Sequence, residues 1–307
     1  MTKRASVLAV VTAVALGSMA VVAAQAPVAT PPKTVTVDKV KDNLWVLKGG
    51  GGNTALFLTA AGAVVVDTKL PGWGQPLLDA IKAVTDKPVT MVINTHAHYD
   101  HTNGQVEFPA SVEVVAHENT KRYMEEANPV YGLQTGPQAN IFAASGGRGM
   151  AKRTFATTLT LGSGADRIDL YYFGRAHTGG DTFVVFPALG VMHVGDAFPN
   201  RDLPIMDLNN GGSGVAFAAT LTKAAAVPGV TTVINGHHAT TMTPADVARY
   251  AEFIGEFVAT VQQAKRAGKT VDDVVAAWTT PAKYPGYAVP QAARVKADAQ
   301  VIFTETP

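Results

Sequence analysis

The chain reads INTHAHYDHTNG from Ile93 to Gly104, so His96, His98, Asp100 and His101 fall within six residues, directly after an apolar run. Only eight histidines occur in the 307 residues, and three of them stand here. Imidazole nitrogen and carboxylate oxygen are zinc ligands, held at about 2.0–2.2 Å. In an extended segment, side chains two residues apart face the same way, so His96 and His98 can serve one metal together. The chain must then turn, which directs Asp100 and His101 elsewhere, towards a second metal. A lone histidine is ordinarily a hydrogen-bonded core or surface residue. That account is weak for His-x-His-x-Asp-His at the end of a strand.

Further ligand types stand at comparable places. Asp67 closes GAVVVDT, His177 lies in GRAHTGGDT after IDLYYF, Asp196 follows VMHVG, and His237 follows TTVING. Polar side chains at the ends of buried strands project into the crevice above a sheet, where ligands bind. The other histidines have plainer readings. His117 starts a helix near the surface, His193 packs within a strand, and His238 flanks the site. In NRDLPIMDLNNGGS, Arg201 can bind an acidic group, and Asn209 or Asn210 can donate to a developing oxyanion. The same cluster also reads as a turn with Asn and Gly in left-handed conformations. Trp73 and Tyr99 sit near the expected mouth. No GxSxG elbow and no cysteine occur, so serine and cysteine nucleophiles drop out.

These residues need strands to carry them. TVTVDKV, NLWVLKG and NTALFLT are short β-branched runs punctuated by glycine, and GAVVVDT and VTMVINT read as buried strands. SVEVVA, TLTL, IDLYYF, TFVVF, VMHVG and TTVIN follow as strands. Apolar spacing predicts helices over 73–85, 117–128, 214–226, 244–267, 271–278 and 291–303. Strand runs, then strand–helix alternation, then strands again predict an α/β fold of two sheets packed face to face with helices outside. The glycine-rich stretch Asn128–Arg153 reads as a mobile lid bordering the metal site, with Ser145–Met150 its most glycine-rich part.

Composition bounds the function. With 47% hydrophobic residues, 16% charged and a net charge of +1, the chain has ample core and no basic excess for a nucleic-acid partner. Lys3 and Arg4, the uncharged run to Ala26 and the small residues of VVAAQA read as a signal peptide over residues 1–24, with an uncleaved membrane anchor as the alternative. Residues 25–34 then form a flexible Pro-rich leader, and residues 35–307 the domain with its C-terminal helices. Losing Lys3 and Arg4 takes the basic count from 25 to 23 against 24 acidic residues, a mature charge of −1. The expected location is periplasmic or secreted, with no stable membrane insertion after cleavage. Without cysteine, stability rests on core burial, helped by bound metal.

The ordered set of strand-end motifs resembles the metallo-β-lactamase superfamily over roughly residues 35–240. That resemblance implies an αββα sandwich of two mixed sheets with metals at one edge. It implies that His96, His98 and His177 bind a first zinc, that Asp100, His101 and His237 bind a second, and that Asp196 bridges both. His237 is preferred to His238 because it directly follows the turn at Gly236. Two divalent ions share a hydroxide that attacks a carbonyl or phosphoryl centre, with Asp100 orienting it. Zinc suits this ligand set, and iron or manganese are also accepted.

The true β-lactamases of the superfamily place a cysteine at Asp196 or omit that ligand, although His101 matches one of their subclasses. The glyoxalase II ligand set fits, but export and a mildly basic C-terminal region do not. The lactonases carry a tyrosine shortly after the bridging aspartate, where this chain has Phe198. The superfamily's ribonucleases share the pattern but need a polyanion site, which the mature charge disfavours. The expected function is an exported dinuclear metal hydrolase acting on a small ester, lactone or amide. The alternatives are a true β-lactamase and a non-catalytic metal- or ligand-binding protein on the same fold.

Overall fold

The structure is a computed structural model that describes residues 32–307. The signal-peptide segment and most of the leader lie outside the described residues. At the leader's end, Lys33 donates from Nζ to the Gly72 carbonyl and stands over the Trp73 ring at 5.7 Å.

Seven strands form the first sheet in chain order: β1 (Thr36–Lys41), β2 (Leu44–Lys48), β3 (Thr54–Leu58), β4 (Ala63–Val66), β5 (Val89–Ile93), β6 (Glu113–His117) and β7 (Arg153–Phe155). The first four run antiparallel, and β4 to β7 run parallel. Parallel neighbours need crossovers. These carry α1 (Gly74–Val84), the single turn α2 (Tyr99–Thr102), α3 (Glu118–Glu126) and α4 (Ile141–Ala144). The second sheet has five strands, β8 (Thr158–Leu161), β9 (Ile168–Tyr171), β10 (Phe183–Phe186), β11 (Val191–His193) and β12 (Thr232–Ile234). Its pairs are antiparallel except β11 with β12, which α5 (Gly214–Ala225) connects. Three helices follow: α6 (Pro244–Arg266), α7 (Val271–Ala277) and α8 (Ala292–Glu305).

The period-2 alternation of strands decides which side chains meet. In β3, Ala55 and Phe57 face the second sheet, whereas Leu56 faces the layer of α1. In β10, Val184 and Phe186 face the first sheet, whereas Phe183 and Val185 face the outer helices. Phe57 and Phe186 meet between the sheets with ring centroids 4.9 Å apart. Each such buried ring contributes roughly 1.5–3 kcal/mol. Leu77 and Ile81 of α1 cover the first sheet, and Phe217 of α5, Tyr250 and Phe257 of α6 and Ile302 of α8 cover the second. The layers are therefore helix, mixed sheet, mixed sheet, helix, as expected from the sequence.

Two local readings change. β7 is not among the expected strands and begins at the last residue of the stretch read as a loop: it is a three-residue edge strand whose first two side chains are exposed, so it carries no apolar pattern. His117 does open α3, its Nδ1 accepting from the Asn119 amide at 3.2 Å, but it is buried rather than superficial. Its ring stacks on Tyr172 at 4.1 Å and Nε2 donates to the Ala156 carbonyl at 2.8 Å. Among the described residues no helix is long and apolar enough to cross a membrane.

Candidate metal centre

The site forms where strands of both sheets end. Past β5, the Thr95 amide donates to Asp67 Oδ1 at 2.8 Å, and Thr95 Oγ1 donates to Asp67 Oδ2 at 2.6 Å. This fixes the extended segment that presents His96 and His98. Tyr99–Thr102 then coils into α2, which turns Asp100 and His101 away from that direction. His177 comes from the loop between β9 and β10, Asp196 from the turn after β11, and His237 from the turn after β12.

Ligand atoms of His96, His98 and His177 lie within 4.8 Å of one another, as do those of Asp100, His101 and His237. Asp67, His96 and His101 form a third such group, because His101 reaches back to the strand end of β4. Asp196 stands between the first two groups. Its Oδ1 is 3.3 Å from His101 Nε2, and its Oδ2 is 3.2 Å from His237 Nε2 and 3.8 Å from His177 Nε2. Two glycines permit this crowding. A Cβ on Gly52 would fall 2.0 Å from the His101 ring, and one on Gly236 would fall 1.8 Å from Asp196 Oδ1.

Outer partners set which nitrogen each histidine offers. His98 Nε2 is 2.7 Å from Asp207 Oδ2, leaving Nδ1 facing His177 Nε2 at 2.9 Å. His177 Nδ1 donates to the Ile205 carbonyl at 2.6 Å. His101 Nδ1 is paired with Asp67 Oδ2 at 2.7 Å, leaving Nε2 towards His237. Asp67 itself has φ 65, a conformation that costs a non-glycine residue energy and that its bonds to Thr95 and His101 hold in place.

The electrostatics are those of a crowded cation site. Burial, reinforced by its histidine neighbours, holds His96 well below the usual histidine range, and burial with His98 brings His177 down to about 3. Burial opposes charging of His101, yet Asp196, Asp100 and Asp67 hold its pKa well above the usual value. Burial would likewise raise Asp196, but His237 and His101 keep it well below the carboxylate range. Among the described residues, His96 Nε2 and Asp196 Oδ1 are buried with no hydrogen-bond partner, Asp196 Oδ1 having only its 3.3 Å ionic contact with His101. Buried polar atoms left unpaired are costly, and a cation between them removes that cost. Imidazoles with carboxylates are a donor set for zinc.

The substrate-contact candidates fare differently. Arg201 turns to Asp246 Oδ1 at 3.1 Å, an ion pair at the start of α6, and does not line the cleft at the ligands. Asn209 donates to the Pro129 carbonyl at 2.8 Å. Asn210 is buried and donates to Asp207 Oδ2 at 2.6 Å, so it steadies the carboxylate that holds His98. Both asparagines lie in a short helical turn, and Gly211, at φ 74, takes the left-handed position after it. His193 is buried within its strand, 3.1 Å from the Asn53 carbonyl, and His238 bonds locally to Thr240. Trp73 packs over Gly50, where a Cβ would fall 2.0 Å from the indole.

Two clefts adjoin the ligands. One, of about 240 Å³, includes His98 and Tyr99 in its wall with Met124, Ile141 and Phe142. The other, of about 440 Å³, has His177, Asp196 and His237 in its wall, with Leu133, Asp202 and Arg294 around them. The stretch Asn128–Phe142 therefore borders the site. Ser145–Met150 does not: Gly149 accepts from Gln105 beneath the site, and this part packs beside Phe108. Two residues escaped the sequence reading. Asp207 sits beside the asparagines that drew attention, and its signal was a carboxylate three residues before Asn210. Arg294 lies far along the chain and carries no local signal.

The metallo-beta-lactamase superfamily profile matches residues 47–251. Among curated relatives, the 2,4-dinitroanisole O-demethylase subunit alpha of Nocardioides sp. (strain JS1661) is 26% identical over 167 residues, 53% of this chain and 46% of that protein. The metallo-beta-lactamase type 2 of Elizabethkingia meningoseptica is 27% identical over 165 residues, 50% of this chain and 58% of that protein. The chain thus spans about half the length of these two curated relatives. Among solved structures, a metallo-beta-lactamase from Pontibacter korlensis aligns with a TM-score of 0.57 at 19% identity, covering 72% of this chain and 99% of that one. A double mutant of the sec-alkyl sulfatase PisA1 aligns at 0.64 and 14% identity, covering 86% and 49%. At such identities the structural likeness speaks to the fold. The profile match runs from within β2 into α6 and takes in every turn that carries the seven ligand-type residues. The chain belongs to the metallo-β-lactamase superfamily.

Proposed function

We propose that this chain is an exported hydrolase that holds two zinc ions and cleaves a small ester, lactone or amide. The observation that carries the reading is the pair of buried, unpartnered atoms, His96 Nε2 and Asp196 Oδ1, within a set of seven convergent ligand-type side chains. His96, His98 and His177 would hold one ion, Asp100, His101 and His237 the other, and Asp196 both. When bound, such ions supply Lewis acidity, which acidifies water and polarises the attacked oxygen. The chain supplies orientation. Asp207, the Ile205 carbonyl and Asp67 fix the tautomers of His98, His177 and His101. Asp100 and His237 are the more open members, with side chains 20% and 36% exposed, so substrate enters on their side. There the Asp100 carboxylate accepts a hydrogen bond from the attacking water and aims its lone pair.

A second reading, hydrolysis of β-lactams, draws on the name of the Elizabethkingia meningoseptica relative. Asp196 in place of a thiolate weighs against it. Metal analysis of purified protein decides the first point, with two equivalents of zinc expected; iron or manganese would also satisfy the donors. Hydrolysis of a p-nitrophenyl ester, a lactone and nitrocefin, with and without chelator, decides the second. Chelator-sensitive cleavage of the ester or lactone above nitrocefin is expected. Absence of any turnover by protein loaded with zinc, iron or manganese overturns the hydrolase reading. Export is checked by N-terminal sequencing, which should begin near Gln25; an intact Met1 or Thr2 would favour an anchor.

A further inference from the structure

We infer that Arg294 is the recognition residue for an anionic group on the substrate, a carboxylate carried near the bond that is cleaved. The inference deepens the hydrolase reading and rests on it. Arg294 lies in the first turn of α8 and shares the wall of the 440 Å³ cleft with His177, Asp196 and His237. Among the described residues its guanidinium makes no hydrogen bond or ion pair, and Nη1 is buried without a partner. Arg167, Arg175 and Arg201, by contrast, close ion pairs with Asp169, Glu305 and Asp246, and among the described arginines Arg294 alone has a buried side-chain nitrogen without a hydrogen-bond partner. A fixed cation kept free of its own chain's carboxylates, at the edge of a reaction site, suits the planar two-point geometry of a carboxylate.

The surroundings agree. Asp298, one turn further along α8, forms no ion pair with Arg294 among the described residues, and its Oδ2 is also buried without a hydrogen-bond partner. Burial pushes its carboxyl up to about 8, against the pull of Arg294, which favours its protonated, neutral form at neutral pH. Asp202 lines the cleft too, with its carboxylate accepting from the Leu203 amide at 2.7 Å. Gln291 and Ala293 bring the N-terminal end of α8 to the cleft, with no acidic side chain in that turn and no side-chain cap from Gln291. That end of a helix favours negative charge. Leu133, 55% exposed on the same cleft, offers an apolar contact for the rest of the substrate.

The test pairs two esters of equal acyl length, the p-nitrophenyl half-ester of glutarate and p-nitrophenyl valerate, on the zinc-loaded full chain. Wild type should prefer the half-ester. Arg294→Met should lower kcat/KM for the half-ester about 10-fold or more, chiefly through KM, on the scale of losing one charged hydrogen bond. It should leave valerate unchanged. Arg294→Lys, which keeps charge and stem, should retain part of the preference and serves if the Met variant folds poorly. Calorimetric binding of glutarate to the zinc-loaded protein is the second readout and should weaken by a similar factor in Arg294→Met. Equal losses on both esters, or undiminished glutarate binding in the variant, overturn the assignment. If neither ester is cleaved, the hydrolase reading is at fault, and the glutarate comparison still decides for or against Arg294.

Discussion

Asp196 and Asp207 act on different histidines of the site by different routes, and substitutions should separate them. Asp196 offers its two oxygens to both ligand groups. Asp196→Asn keeps the shape and removes the charge, so about one equivalent of zinc should remain instead of two, with kcat falling ~10²-fold or more. Two retained equivalents with full activity would show that Asp196 does not bridge. Asp207 holds His98 from outside, at 2.7 Å. Asp207→Asn should weaken zinc binding about 10- to 100-fold while leaving the stoichiometry at two, as outer-shell losses do. A competitive chelator titration reads both. The two aspartates also mark what the sequence makes legible. Asp196 follows an apolar strand, and its type and position announce a ligand. Asp207 acquires its role only when residue 207 folds back onto residue 98, a long-range approach no local pattern encodes. Arg201 and Arg294 differ in the same way: one sits next to a motif but points to Asp246, the other sits in the cleft with no motif beside it.

At the scale of elements, α6 shows local sequence specifying a boundary. Thr243 Oγ1 accepts from the Asp246 amide at 3.2 Å, Asp246 Oδ2 accepts from the Thr243 amide at 2.9 Å, and Pro244 opens the helix. This reciprocal cap satisfies two amides that the helix leaves free. Thr243→Ala should lower stability by about 1 kcal/mol in urea unfolding and leave zinc content unchanged. A loss of zinc in the folded variant would mean that the cap also positions the site. Most strands were equally legible, because apolar alternation or continuous burial is written in four or five residues. β7 was not, since three residues with two exposed carry no period. Glycines marked Asn128–Arg153 as irregular but could not give its path. Its first half reaches the ligand clefts, and its last glycines pack beneath them.

At the scale of the whole molecule, buried carboxyls give stability a pH dependence. Asp298 is pushed from 3.8 up to about 8 by burial, so between those values the folded chain holds a proton that the unfolded chain has released. Unfolding free energy therefore falls as pH rises through that window. Asp181, raised to about 7 by burial, acts in the same direction. Asp298→Asn removes one of the two titrations, and its stability should fall by about 1 kcal/mol or more less than wild type across the window, measured by urea unfolding at both ends. An identical pH slope in the variant would place the Asp298 proton elsewhere. The two sheets have a further consequence. All strands of the first precede Ala156 and all strands of the second follow Thr157, so each sheet is one uninterrupted length of chain. His96, His98, Asp100 and His101 belong to the first length, His177, Asp196 and His237 to the second. Cut at the Ala156–Thr157 bond, the protein should yield a pair of complementing fragments. Each carries an incomplete set of donors, and their reunion can be followed as the capture of an ion that neither fragment would hold by itself.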